Sequence, residues 1–388
     1  MIGFRMPTRV HIAPGALDRL PEAARALGLS SALLAVDPGV RSATSILDRA
    51  LELLRAAGLR CEVFDAIEPN PRTTTATAAA DLLRSEQLDG VIALGGGSVL
   101  DAAKAAAMLA ENELRIEQYE GRDRYAAAPR PMIAVPTTCG TGSEVTWVSV
   151  LSQPATRTKI SVKGESMFPD QALVDADLLM TLPADLVAST GVDALTHALE
   201  ATTSAAANAV SDALAEEATR LLFTFLDRAR ADIGGDDEAR AAVMRASTLA
   251  GLAFGNADVA AVHCLSEAIG GLADTPHGLT NAVLLAPVLR SHRPWIDDRL
   301  AQLDSAVLGG EPRASVEERA DRFLAALDEL LGRLEIPPFA ALEVDPGDFN
   351  AIAARAVRNG SNRSNPRPMS GASYRALLDD VAPSAAKT

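Results

Sequence analysis

Between Ala32 and about Val174 short β-rich runs alternate with segments of helical period, and this alternation narrows the available folds more than any other feature of the chain. The runs are ALLAVD (32–37), CEVF (61–64), GVIALGGG (90–97), PMIAVPTT (131–138), VTWVSVL (145–151) and QALVDADLL (171–179). Between the earlier ones, SILDRALELLRAAG and TTTATAAADLLRSEQLDG carry Leu and Ala at helical spacing. Strand, helix, strand, helix predicts a parallel α/β sheet with helices on both faces, whose ligands bind at the carboxyl ends of the strands. After Leu182-Pro183 the texture changes. From Asp185 to Leu331 the chain is rich in Ala and Leu, with polar residues at 3.6-residue spacing and few β-branched clusters, which predicts an all-helical second domain. The expected boundaries are 1–183 for the α/β domain and 184–388 for the helical one. Pro337-Pro338 and NGSNRSNPRPMSGAS (359–373) read as loops, the latter leading into a short final helix, YRALLDDV.

Two domains also suit the length, because 388 residues exceed what a single core organises. Lys and Arg number 36 against 51 Asp and Glu, a net charge of −15. An acidic body repels phosphate backbones and anionic lipid heads, so neither nucleic acid nor a membrane is an expected partner, and an anionic ligand needs a local pocket. Cys61, Cys139 and Cys264 are odd in number and have no CxxC spacing, which fits a reducing compartment. The first residues lack the apolar run of a signal peptide, so the expected location is the cytoplasm.

GVIALGGGSVLDAAK runs from a buried-type strand through Gly95, Gly96 and Gly97 to Ser98, read as an N-cap, and on into a helix. Bare backbone and a helix N-terminus make a cradle for pyrophosphate. It is neither the GxGxxG fingerprint, since Leu100 stands at the third glycine, nor a P-loop; a tight turn without a ligand is the alternative. Lys104 lies one turn beyond Asp101, a pairing that also suits a surface contact. Asp37 ends the first β-run, where a carboxylate can accept from a ribose diol and repel a 2′-phosphate, favouring NAD; capping a turn is its other reading. A second loop, VPTTCGTGSEVT (135–146), places Thr137, Thr138, Thr141 and Ser143 after another strand, and Lys159 follows it in TKISV.

Of five histidines the middle three, His197, His263 and His277, fall within 81 residues of the helical region. Asp193 and His197 are four apart on one predicted helix face, which is chelating geometry. With His263 on a second helical segment and His277 after a break at Gly270-Gly271, one carboxylate and three imidazoles suit Fe or Zn better than Ca or Mg. Ordinary buried or surface histidines remain the alternative for each one alone.

The motifs GGGSVLDAAK, PTTCGTGSEVT, DALTHALE and TPHGLTNA, in this order and spacing, resemble the iron-containing (group III) alcohol dehydrogenases over nearly the whole chain. The resemblance implies an α/β N-terminal dinucleotide-binding domain and an all-α C-terminal metal-binding domain, a dehydroquinate synthase-like architecture with the active site in the cleft. It implies metal ligation by Asp193, His197, His263 and His277, with Fe(II) favoured and Zn the alternative. It further implies NAD contacts at Asp37, Asn70, Gly95, Gly96, Gly97, Ser98, Asp101, Thr137, Thr138, Thr141, Ser143 and Lys159. The implied activity is hydride transfer between NAD(H) and a small primary alcohol or its aldehyde, in a homodimer or larger homo-oligomer.

Where many members carry a second histidine four residues after the metal histidine, this chain has Glu267, whose expected roles are proton relay, metal binding or repulsion of anionic substrates. Trp147, Phe254 and Val259 match positions that line the substrate pocket, which implies a partly apolar pocket; ordinary core packing is the alternative. The loop around Arg358, Arg363 and Arg367 raises a second reading, reduction of a carbonyl substrate bearing carboxylate or phosphonate, of the maleylacetate or phosphonoacetaldehyde type. A dehydroquinate synthase-type lyase is a third, opposed by the scarcity of lysine, and a non-catalytic NAD-binding protein a fourth.

Overall fold

A computed structural model of the chain describes residues 3–310 and 313–382, so the expected domain ends at 1 and 388 lie outside the described residues. The chain divides into two compact units. One comprises Met6–Leu182 together with Ile233–Thr248, and the other the residues before Met6, Pro183–Asp232 and the chain from Leu249 onward.

The first unit opens with β1 (Arg9–Ile12), α1 (Leu20–Ala26), β2 (Ser31–Val36), α2 (Pro38–Ala43), α3 (Ile46–Ala56) and β3 (Arg60–Phe64). It continues with α4 (Thr73–Ser85), β4 (Gly90–Gly95), α5 (Gly97–Ala110), β5 (Gly121–Arg122), β6 (Met132–Pro136), β7 (Val148–Gln153), β8 (Thr158–Lys163) and β9 (Gln171–Val174). Six strands pair in the order β1-β9-β6-β4-β2-β3, every pairing parallel. Alternate residues of the central strands enter two separate cores. Leu33, Ala35, Val91 and Ala93 pack with α4 and α5 on one face, whereas Ala32, Leu34, Val36, Ile92 and Leu94 pack with α1 and α3 on the other. A sheet covered on both faces needs apolar residues at every position, which is why β2 and β4 read as unbroken hydrophobic runs.

Three sequence expectations change here. The run VTWVSVL does not join the parallel sheet; β7 pairs antiparallel with β8 in a separate three-stranded sheet, in line with its alternating rather than continuous burial. The run QALVDADLL is strand only to Val174, after which Asp175 caps a 3-10 turn over Ala176–Leu179. β1 is an additional strand that no apolar run announced, because its residues are half-buried or exposed on the sheet's edge.

The second unit holds α6 (Ala184–Thr203), α7 (Ala209–Ala231), the latter part of α8 (Asp237–Ala257), α9 (Ala261–Ala273), α10 (His277–Ser291) and α11 (Asp297–Leu308). It ends with α12 (Val316–Arg333), α13 (Phe349–Arg358) and α14 (Gly371–Val381). Asn208, Ser315 and Ser370 close capping boxes at the starts of α7, α12 and α14. The first turns of α8, up to Thr248, belong with the α/β unit rather than the helical one. α6 is buried almost throughout its second half, and Gly191 lets it lie against Leu226 of α7, whose side chain would collide with any Cβ at that position.

Candidate metal centre and cofactor loops

Helical period places Asp193, His197 and Glu200 on one face of α6. His263 comes from the first turn of α9, and His277 is the first residue of α10. Gly278 follows it, where a Cβ would lie 3.0 Å from the Ser189 carbonyl oxygen and 3.6 Å from Asp193 Cβ, so a residue without a side chain lets α10 start close against α6. Asp193, His263 and His277 each bring one ligand atom within 4.8 Å of the others. His197 joins through its Nε2, 3.0 Å from His263 Nε2. Asp193, His197 and His263 are buried and His277 is half-buried, so the group is reached from the His277 side.

Burial pushes the Asp193 carboxyl up, but the three imidazoles and the Asn281 amide outweigh it and hold the group below the ordinary carboxylate range. For His263 burial is the largest influence and acts downward, but the hydrogen bond and charge of Glu200, with the charges of Asp193 and Glu267, together outweigh it and leave the imidazole above its usual value. The Asn281 Nδ2 lies 2.6 Å from Asp193 Oδ1, 3.2 Å from His263 Nε2 and 3.1 Å from His277 Nε2. An amide has two protons for these three atoms, while Asn281 Oδ1 is buried without a hydrogen-bond partner. One carboxylate and several imidazole nitrogens turned toward one point, with the ring nitrogens of His197 and His263 almost in contact, form a donor set that a divalent ion of the Fe or Zn type satisfies. These residues fit such an ion.

In the α/β unit β4 ends at Gly95, Gly96 is the N-cap of α5, and no side chain caps that end. Ser98 is therefore inside the first turn rather than the N-cap, because the chain turns into the helix two residues earlier than the serine marks. The three glycines admit close neighbours. A Cβ on Gly97 would collide with the Thr141 methyl and lie 2.9 Å from its Oγ1, one on Gly96 would stand 3.0 Å from the Thr138 methyl, and one on Gly95 would meet Val99. The second loop thus touches the first, and the Thr137 amide donates to the Gly95 carbonyl at 3.1 Å.

Asp101 and Ser143 lie behind this surface, where Ser143 Oγ donates to Asp101 at 2.7 Å and the Val150 amide donates to it at 2.9 Å. Lys104 is no surface residue: it is 1% exposed. Its ammonium donates to Ser143 Oγ at 2.6 Å, Thr146 Oγ1 at 3.1 Å and the Val148 carbonyl at 3.0 Å. Burial brings its pKa down to about 8 against the pull of Asp101 and Glu144, and burial raises both of those carboxyls.

Asp37 caps α2, accepting from the Val40 amide at 2.9 Å, so one of its oxygens is committed to a turn. Asn70, with φ of 52°, accepts from Lys159 Nζ at 2.9 Å, which brings these two candidates together. Trp147 lies under the Arg122 guanidinium, 4.6 Å from ring centroid to cation. Phe254 stacks on His197 rather than standing apart from the metal group, and Val259 is buried. Glu267 is half-buried and accepts from Asn359 Nδ2 at 2.7 Å. Arg363 and Arg358 are exposed, while Arg367 donates to the Ser291 carbonyl and lies over Trp295, so the arginine loop forms no shared cation cluster. Glu200 and Asn281 were missed in the sequence. Their spacing, three residues after His197 and four after His277, was the available signal.

Comparison with known proteins follows the same division. The iron-containing alcohol dehydrogenase family matches residues 7–176, and the C-terminal part of the Fe-containing alcohol dehydrogenase family matches residues 187–382. A 1,3-propanediol dehydrogenase from Klebsiella pneumoniae is 37% identical over 371 residues, which is 95% of each chain. An NAD-dependent methanol dehydrogenase from Bacillus methanolicus is 32% identical, covering 95% of this chain and 96% of that one. The crystal structure of a 1,3-propanediol oxidoreductase superposes with a TM-score of 0.95 at 35% identity, over 98% of this chain and all of the other. The chain belongs to the iron-containing alcohol dehydrogenase family and is an oxidoreductase.

Proposed function

We propose that the protein is a metal-dependent alcohol dehydrogenase and aldehyde reductase that exchanges a hydride between NAD(H) and a small primary alcohol or its aldehyde. The observation that carries this reading is the convergence of Asp193, His263 and His277, with His197 against His263, in a buried pocket of acceptor atoms. These four residues hold a divalent ion, with Fe(II) the expected ion. When bound, it supplies Lewis-acid polarisation of the substrate oxygen. NAD, when bound, supplies the hydride acceptor.

The chain's own residues do the positioning. The uncapped first turn of α5 and the backbone of Gly95, Gly96 and Gly97 receive the pyrophosphate, as a helix N-terminus does for an anion. Thr137, Thr138 and Thr141 offer hydroxyls beside it, and the Asn70–Lys159 pair presents an amide and an ammonium to the ribose and nicotinamide side. Asp37 keeps one oxygen for the adenosine ribose and thereby selects NAD over NADP. Phe254 supplies an apolar wall against His197. No observation favours the anionic-substrate reading, because Arg367 is engaged with Ser291 and Trp295 while Arg358 and Arg363 are exposed. The same reading takes the protein as cytoplasmic, supported by free thiols at Cys61, Cys139 and Cys264.

The test is NADH oxidation by anaerobically iron-reconstituted protein on paired neutral and anionic small aldehydes, with and without chelator. Chelator-sensitive turnover, faster on the neutral member of each pair, is expected. NADH binding without turnover on any aldehyde overturns the reading.

A further inference from the structure

Glu200 is 2% exposed and lies on α6 one turn after His197. A carboxylate taken out of water is costly unless donors replace the lost hydration. Three do so here. Oε1 accepts from the Val262 amide at 2.7 Å, and Oε2 accepts from the Ala260 amide at 2.9 Å and from His263 Nδ1 at 2.6 Å.

Two of these donors are backbone amides at the start of α9, whose N-cap residue, Ala260, provides no side-chain cap. Glu200 therefore caps α9 from a different helix, placing a negative charge at its positive end. The third donor is a ring nitrogen of the histidine next to that cap. A carboxylate only accepts, so the bond at 2.6 Å keeps the proton on Nδ1. The lone pair of His263 then stands on Nε2, the nitrogen that meets His197 and Asn281. Had the proton been on Nε2, the ring could not ligate from that side.

We infer that Glu200 is a positioning residue that fixes the metal-binding tautomer of His263 and ties occupation of the metal site to the docking of α9 on α6. This rests on the metal reading of Asp193, His197, His263 and His277. One residue, outside the ligand set, both sets the ligand's lone pair and holds the helix that carries it. Carboxylates behind ligating histidines act in this way in other metal proteins, where their removal weakens metal binding about 10- to 100-fold.

The experiment is a titration of the full-length, metal-free protein with Co(II) against a chromogenic chelator, recording the visible Co(II) absorption, for wild type and Glu200→Gln. Glutamine keeps the size and loses the charge, and its NH2 must face either the Val262 amide or both the Ala260 amide and His263 Nδ1, so the three donors are no longer all accepted by a carboxylate. NADH binding, read by fluorescence, reports that the variant is folded. The expected result is at least tenfold weaker Co(II) binding in E200Q with an altered visible spectrum and unchanged NADH affinity. A merely structural role lowers the thermal midpoint but leaves the Co(II) affinity within twofold and the spectrum as in wild type, which overturns the inference. If wild type itself takes up no Co(II), the metal reading fails as well, a separate result. Should E200Q not fold, Glu200→Asp, which keeps the charge but shortens the reach to His263, is held to the same tenfold and twofold criteria.

Discussion

The phenyl ring of Phe254 lies on the imidazole of His197, with centroids 4.2 Å apart and planes 18° from parallel. Stacking of this kind contributes about 0.5–1.5 kcal/mol beyond simple burial and leaves the imidazole one tilt instead of many. Phe254→Ala should weaken binding of Co(II) to the metal-free protein by roughly three- to tenfold while NADH affinity stays as in wild type. Competition against a chromogenic chelator measures the first and fluorescence titration the second. Equal Co(II) affinity in the variant would separate Phe254 from the metal group.

Gly97→Ala forces a methyl group against Thr141 and parts the two loops that meet there. The strain falls on the glycine and threonine loops proposed to receive NAD and on none of Asp193, His197, His263 and His277. NADH affinity should drop about tenfold or more, equivalent to ~1.4 kcal/mol, with Co(II) binding untouched. A fluorescence titration giving the wild-type dissociation constant contradicts the contact's importance.

Lys104 gives its ammonium protons to Ser143 and Thr146 of the second loop and to the Val148 carbonyl at the start of β7, so Lys104→Met should loosen the loop as well as destabilise the fold. Breaking a buried charged network of this kind costs roughly 3 kcal/mol. The urea midpoint should fall accordingly and the KM for NADH should rise. A loss of stability with no change in that KM assigns Lys104 to the core alone.

His292 is buried, and burial reinforced by Arg367 brings its pKa to about 4 from the ordinary 6.5. An unfolded chain therefore binds a proton between those values that the folded chain refuses. Its contribution to stability is complete at neutral pH and is lost as the pH falls from about 6.5 to about 4, by up to roughly 3 kcal/mol. Urea unfolding of wild type across that window should show this slope, and His292→Gln should flatten it. Parallel slopes for both proteins would refute the assignment.

Much of this organisation was legible before any coordinates. The glycine turn, the threonine loop and the Asp193–His197 pair each sit in a short motif, because their geometry is set by a strand end or a helix turn, whereas His263 and His277 reach the pair from α9 and α10. What stayed hidden depends on contacts between distant segments. Glu200 looks like any helical glutamate until the amides of α9 arrive beside it. Lys104 reads as a surface partner of Asp101 until Thr146 and Val148 fold over it. The resemblance puts Glu267 where other members carry a histidine, and the motif around it carries no information about Asn359, the residue whose amide it accepts from. Ser98 misled for another reason: a serine is a strong capping signal, and here glycine took the cap position.

The pairing of β1 with β9 has a consequence for how the chain is made. Arg9 to Ile12 leave the ribosome before any other strand of their sheet, yet the strand's partner is Gln171–Val174. Every other strand of that sheet has already been synthesised before β1 can dock. Such a long loop must close late, after the central β2, β4 and β6 have a core to offer. During translation the amino-terminal segment waits as an unpaired strand, a length of backbone open to chaperones or to mispairing until the last strand of the sheet emerges.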